Sequence, residues 1–177
     1  MQSQQNHTPQ QVAAMRAAAP ALHNGTYTVS WTDSKGKPRH YTVKVHTARK
    51  GKLAGERIIS LLAGPDNESS YQGVAFWNDA TISARVWSRY RSAFAPMPSR
   101  IDGTTWPDEF NSIERKIAVF LGIELKTPAT DDAHGHWIGR GFRIAYATNC
   151  VVCNRLLTTP ESIAAGIGPS CASRGGA

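Results

Sequence analysis

All three cysteines of this 177-residue chain lie in one short stretch near its end. Cys150 and Cys153 are separated by two residues, the spacing at which two thiolates on one tight turn can share a tetrahedral Zn²⁺ at about 2.3 Å each. Cys171 follows after seventeen intervening residues. An odd number of thiols at metal-type spacing argues against a secreted disulfide scaffold, so the expected compartment is reducing, the cytoplasm of the producing cell.

The segment between the two arms has its own signals. Thr159 can cap a helix, Pro160 suits its first position, Glu161 suits the positive end of the dipole, and Gly166 can end it. A short helix over 160–165 is predicted, and Gly166-Ile167-Gly168-Pro169 then swings Cys171 back toward the first pair. So small a segment cannot bury enough apolar surface to fold without a metal, so 148–177 is read as a zinc-binding module. A closed structural site needs a fourth ligand. His136 is the first candidate and His134 the alternative, with Asp131 or Asp132 as substitutes; polar side chains in an exposed loop over 128–135 would look the same.

The pattern Cys150-x-x-Cys153-x-Arg155-x-Leu157-Thr158-x-Pro160-x-Ser162, followed by Gly166-Ile167-Gly168-Pro169-x-Cys171, resembles a small zinc-finger family common in bacteriophage and prophage proteins and classed as a domain of unknown function. The resemblance covers about 25 residues and implies a metal-binding module and a viral source, with no assigned reaction. Asn154 stands where the family commonly has Gly after the second Cys.

The body of the chain has a different character. Residues 24–100 carry twelve Lys or Arg against five Asp or Glu, whereas 101–177 carry seven against eight. The formal charge of +7 is therefore concentrated in the first half. Such a field suits a polyanion, through release of counterions condensed on phosphates, and also suits a solvated surface. Alternation in GTYTVSW and HYTVKVH places Tyr27, Val29 and Trp31 with Tyr41, Val43 and Val45 on one face of a hairpin. Lys44 falls on the opposite face, and Lys35, Lys37 and Arg39 crowd the hairpin tip. RIISLLA, 57–63, reads as a strand buried on both sides, and 71–77 with 81–90 as a second hairpin. In its later strand Ile82, Ala84 and Val86 are expected inward. Ser83, Arg85, Trp87, Arg89 and Arg91 would form an outward row of guanidinium groups around an indole, a phosphate-contacting and base-stacking surface. Packing of Trp87 under another element, with the arginines snorkelling around it, is the alternative.

Residues 1–23 read as a flexible tail, 24–95 as a basic β-rich domain, and 96–147 as a linker, a helix and a last strand packed on the sheet. The helix is expected over 107–121, capped by Thr105, with Phe110, Ile113, Ile117, Phe120 and Leu121 on its buried stripe and Gly122 as its stop. The last strand is expected over 137–146. The fold class is α+β: a mainly antiparallel sheet, one long packed helix and a C-terminal zinc knuckle.

Several chemistries fail at named positions. Zinc deaminases need Glu two residues after the ligand His and Pro before the first Cys, but His136 and Asn149 stand there. No phosphate-cradling glycine loop, His-Glu-x-x-His or Gly-x-Ser-x-Gly occurs. No run approaches the roughly 20 apolar residues of a membrane span. The expectation is a non-enzymatic, phage-type, zinc-binding accessory protein that holds nucleic acid on a basic sheet face. The alternative is a protein-binding inhibitor of a bacterial host or defence system, and a zinc-dependent enzyme ranks third.

Overall fold

The computed structural model of the chain describes residues 22–91, 112–125 and 137–174. Thr105, Pro107 and Phe110 of the expected helix, and Asp131, Asp132, His134 and His136 of the expected ligand loop, lie outside the described residues.

Five strands follow in sequence: β1 (Gly25–Thr32), β2 (Pro38–Thr47), β3 (Arg57–Leu62), β4 (Tyr71–Asn78) and β5 (Ser83–Val86). A sixth, β6 (Arg143–Tyr146), returns beside β1, so that one antiparallel sheet runs in the order β5-β4-β3-β2-β1-β6. The β1–β2 turn is set by Asp33, whose carboxylate accepts the amides of Lys35 and Lys37 at 2.9 Å each, with Gly36 supplying the left-handed φ of 74°. Carboxylates that bond their own backbone two residues on are natural turn formers. Ile58, Ile59, Ser60 and Leu61 are all buried, as expected of an interior strand.

The register puts Tyr27, Val29, Val43, Val45, Ile59, Ala75, Trp77, Ala84 and Val86 on one face. Against it packs α1 (Ile113–Glu124), which buries Ile117, Phe120, Leu121 and Ile123; the Phe120 ring meets the Tyr27 ring edge-on at 5.1 Å. Burying each such side chain contributes about 1.5–3 kcal/mol. The helix differs from the expected 107–121 at both marks that the sequence offered. Its cap is Ser112, whose hydroxyl accepts the Arg115 amide, and it runs through Gly122. An interior Gly costs about 1 kcal/mol against Ala. That is outweighed by burying Ile123 and Leu125, each 1% exposed, beyond it.

Two strand boundaries also shift. The strand expected over 81–90 ends at Val86, and residues 88–90 turn as a 3₁₀ helix stabilised by the Tyr90 amide on the Trp87 carbonyl. The strand expected over 137–146 begins only at Arg143; residues 137–139 are helical, and Trp137 is buried against Phe142. Trp137, which the alternation assigned to a strand, is better buried by a turn that folds its ring onto Phe142 than by extending β6.

Candidate metal centre and sheet-face groove

The C-terminal unit starts as a short ladder, β7 (Thr148–Asn149) on β8 (Leu156–Leu157), extended by the Cys150 amide on the Arg155 carbonyl at 2.8 Å. Between the strands the chain turns tightly: the Asn154 amide donates to the Cys150 carbonyl at 2.9 Å, and Asn154 takes φ 58°. This left-handed position explains the departure from Gly noted above, since Asn tolerates αL better than other L residues. Helix α2 (Pro160–Ala165) follows, N-capped by the Thr159 hydroxyl and closed by Gly166 at φ 68°. The Gly166 carbonyl accepts the Val151 amide at 3.0 Å, which ties the helix end to the cysteine turn. A last turn, α3 (Pro169–Ala172), carries Cys171.

The result is convergence: the Sγ atoms of Cys150, Cys153 and Cys171 all lie within 4.8 Å of one another, and all three thiols are free. Sulfurs on a tetrahedral ion at about 2.3 Å stand roughly 3.8 Å apart, so the cluster has the dimensions of a metal site. Its electrostatics agree. Backbone N–H groups of Gly168, Cys153 and Val152 point at the Cys150 sulfur and lower its pKa to about 6, while the Cys171 thiol, held by a bond to Cys153 and by burial, is pushed up to about 11. The Cys150 sulfur is prepared as an anion, and Cys171 is held as a thiol beside it unless a cation offsets the repulsion. Three cysteines here can hold a metal ion; among the described residues no fourth His, Cys, Asp or Glu joins the group.

The unit is fixed on the second face of the sheet, the one turned away from α1. The buried Thr28 hydroxyl donates to the Thr158 carbonyl at 2.7 Å, and the Asn67 amide group donates to the Leu156 carbonyl at 3.3 Å. Beside it, on the same face, lies a groove of about 840 Å³ whose lining includes Lys44, His46, Arg49, Tyr71, Gly73 and Trp87. Lys44 sits with its ammonium 4.8 Å from the centre of the Tyr71 ring. Burial, and then the nearby Lys44, hold the His46 imidazole below its ordinary pKa, so it is neutral at pH 7.

The basic residues singled out from sequence fall into separate groups. Lys35, Lys37 and Arg39 are exposed at the β1–β2 tip, where Arg39 pairs with Asp33 at 2.9 Å. By register Arg39 lies opposite Trp31, on the α1 side of the sheet, and so does not share a face with Lys44. Arg85 does, with its guanidinium 5.1 Å over the Phe76 ring. Trp87 is not one of an outward strand row. It lies across Gly73, with its ring centre 5.4 Å from that of Phe76 and 6.5 Å from that of Tyr90, and Arg89 stacks over it at 5.0 Å from the 3₁₀ turn. Arg91 donates to the Val86 carbonyl at 3.2 Å and lines a smaller adjoining recess with Arg85. Sequence reasoning did not single out Tyr71 or Gly73 as groove residues. The available signal was the Gly inside YQGVAFWN, since a strand glycine often marks a bulge or a close approach.

The fold and the thiol cluster together define a mainly antiparallel six-stranded sheet protein with a long helix on one face and a cysteine knuckle on the other. Residues 146–176 match a family profile described as a family of unknown function (DUF6011). No curated protein and no solved structure matches the chain. Among the described residues no helix is long and apolar enough to cross a membrane.

Proposed function

We propose that this protein is a non-enzymatic accessory factor that binds nucleic acid on the sheet face bearing the groove, with Zn²⁺ in the cysteine knuckle fixing the C-terminal unit to that face. The observation that carries the reading is the distribution of charge on the face left open by α1. Lys44 and Arg49 line the groove, Arg85 and Arg91 line the recess next to it, and Glu68 is the one carboxylate among these lining residues. Cations gathered on one face with few counter-charges attract phosphates and release condensed counterions. Three thiols suit Zn²⁺ in a reducing cell, and a ligand from the 131–136 segment, His136 or His134, would close the set. The phage source follows from the resemblance of the knuckle alone.

Binding to labelled oligonucleotides should weaken steeply with salt; affinity that does not change between low and physiological salt removes the reading. Metal analysis should give about one zinc per chain, lost in Cys150→Ser, and X-ray absorption should show four protein ligands. A zinc-bound water instead would favour the catalytic alternative. A protein-binding role, as an inhibitor of a host complex, is favoured by one feature: Val151 and Val152 at the knuckle tip are 82% and 66% exposed. It requires a stable complex that Val151→Ser with Val152→Ser disrupts.

A further inference from the structure

The groove is a recess rather than a flat basic patch, and this bears on which form of nucleic acid it takes. Its floor is lowered by two small residues in register, Ser60 on β3 and Gly73 on β4, with Lys44 opposite Ser60 on β2. Trp87 stands at one side, braced by Phe76, Tyr90 and Arg89, and the loop after β2, with Ala48 and Arg49, stands at another. Its 840 Å³ falls within the roughly 300–1,000 Å³ of ordinary small-ligand sites. Two nitrogens on its lining side chains, His46 Nδ1 and Trp87 Nε1, are shielded from water and have no hydrogen-bond partner. Being shielded, they are out of a ligand's reach, and the recess offers a ligand its aromatic walls and the Lys44 and Arg49 cations.

Resting on the nucleic-acid reading, the geometry points to an unpaired nucleotide of a single strand as the occupant of the groove: its phosphate at Lys44 and Arg49, and its base in the recess between Tyr71 and Trp87. A duplex offers its outer surface as phosphate and sugar, with the base edges turned into its own grooves. It would neutralise Lys44 and Arg49 yet leave the recess empty. An unpaired base has an exposed π-face, which matches an aromatic-walled recess.

The test uses the full chain and a short fluorescent oligodeoxythymidylate, alone and annealed to its complement, with anisotropy read at matched salt. The single strand should bind about tenfold more tightly than the duplex. Lys44→Glu and, separately, Arg49→Glu on the exposed loop should weaken both forms, and Tyr71→Ala should remove most of the single-strand preference. Urea melts of each variant establish that it is folded, and Tyr71→Leu carries the test if Tyr71→Ala is not. Equal affinity for both forms, lowered equally by these substitutions, overturns the groove assignment and leaves the basic-face reading standing. No binding of either form at low salt overturns both.

Discussion

Gly73→Ala offers a quantitative test of how the groove wall is built. A Cβ at position 73 would lie 2.5 Å from Cη2 of Trp87 and 3.2 Å from two more of its ring atoms. Carbon contacts relax at about 3.5–4.0 Å, so the indole must withdraw by roughly 1 Å. It has little room, because Phe76, Tyr90 and Arg89 hold it at 5.4, 6.5 and 5.0 Å. Each aromatic pair is worth about 0.5–1.5 kcal/mol beyond its buried area, and overpacking a fitted site costs about 1–3 kcal/mol. The gain from a less flexible unfolded chain, about 0.4–1 kcal/mol, works the other way. A net loss of about 1–2 kcal/mol follows, which lowers Tm by about 2–8 °C for a domain of this size. Thermal and urea unfolding of the purified protein measure it, and a double-mutant cycle assigns it. In a Trp87→Ala background the same substitution should be neutral or slightly stabilising. An equal penalty in both backgrounds would refute the argument, because the clash would then not be with Trp87.

Two further outcomes follow from contacts away from the groove. Thr28→Val leaves the buried Thr158 carbonyl without its 2.7 Å donor, so stability should fall by about 1–3 kcal/mol, and hydrogen exchange should rise first in 148–174, where the knuckle meets the sheet. Tyr146 donates to Glu124 at 2.6 Å, and this bond, ahead of burial, raises its pKa to about 12. Because the folded value lies above the ordinary 10, the contribution to stability is complete below pH 10 and disappears as pH rises through 12. Ultraviolet titration should show the phenol moving back toward 10 in Glu124→Gln, and an unmoved titration would show that the bond is not formed in solution.

The groove and the knuckle depend on different kinds of information. Signals carried by neighbours in sequence were readable directly: Thr159, Pro160 and Gly166 around α2, and the spacing of Cys150, Cys153 and Cys171. Turns, caps and ligand arms are satisfied within a few residues, so each pattern has few competing outcomes. Ser112 in place of Thr105 as the helix cap, and passage through Gly122, show where local signals lose. Burial of Ile123 and Leu125 against the sheet outweighs a glycine's weak preference to stop.

By itself, then, the order of residues determined an antiparallel sheet with alternating faces, a helix with one apolar stripe, and three thiols able to converge. Only the tertiary structure decided which face of the sheet each part takes. Thr28 meets Ala145 and Thr158 across more than a hundred residues, Trp87 leaves its strand to lie over Gly73, and Arg39 and Lys44 separate onto opposite faces. Strand alternation fixes only relative sides. Which side becomes the interior, and which holds a groove, depends on non-local surfaces competing to leave water, and short-range pattern has no means of ranking them.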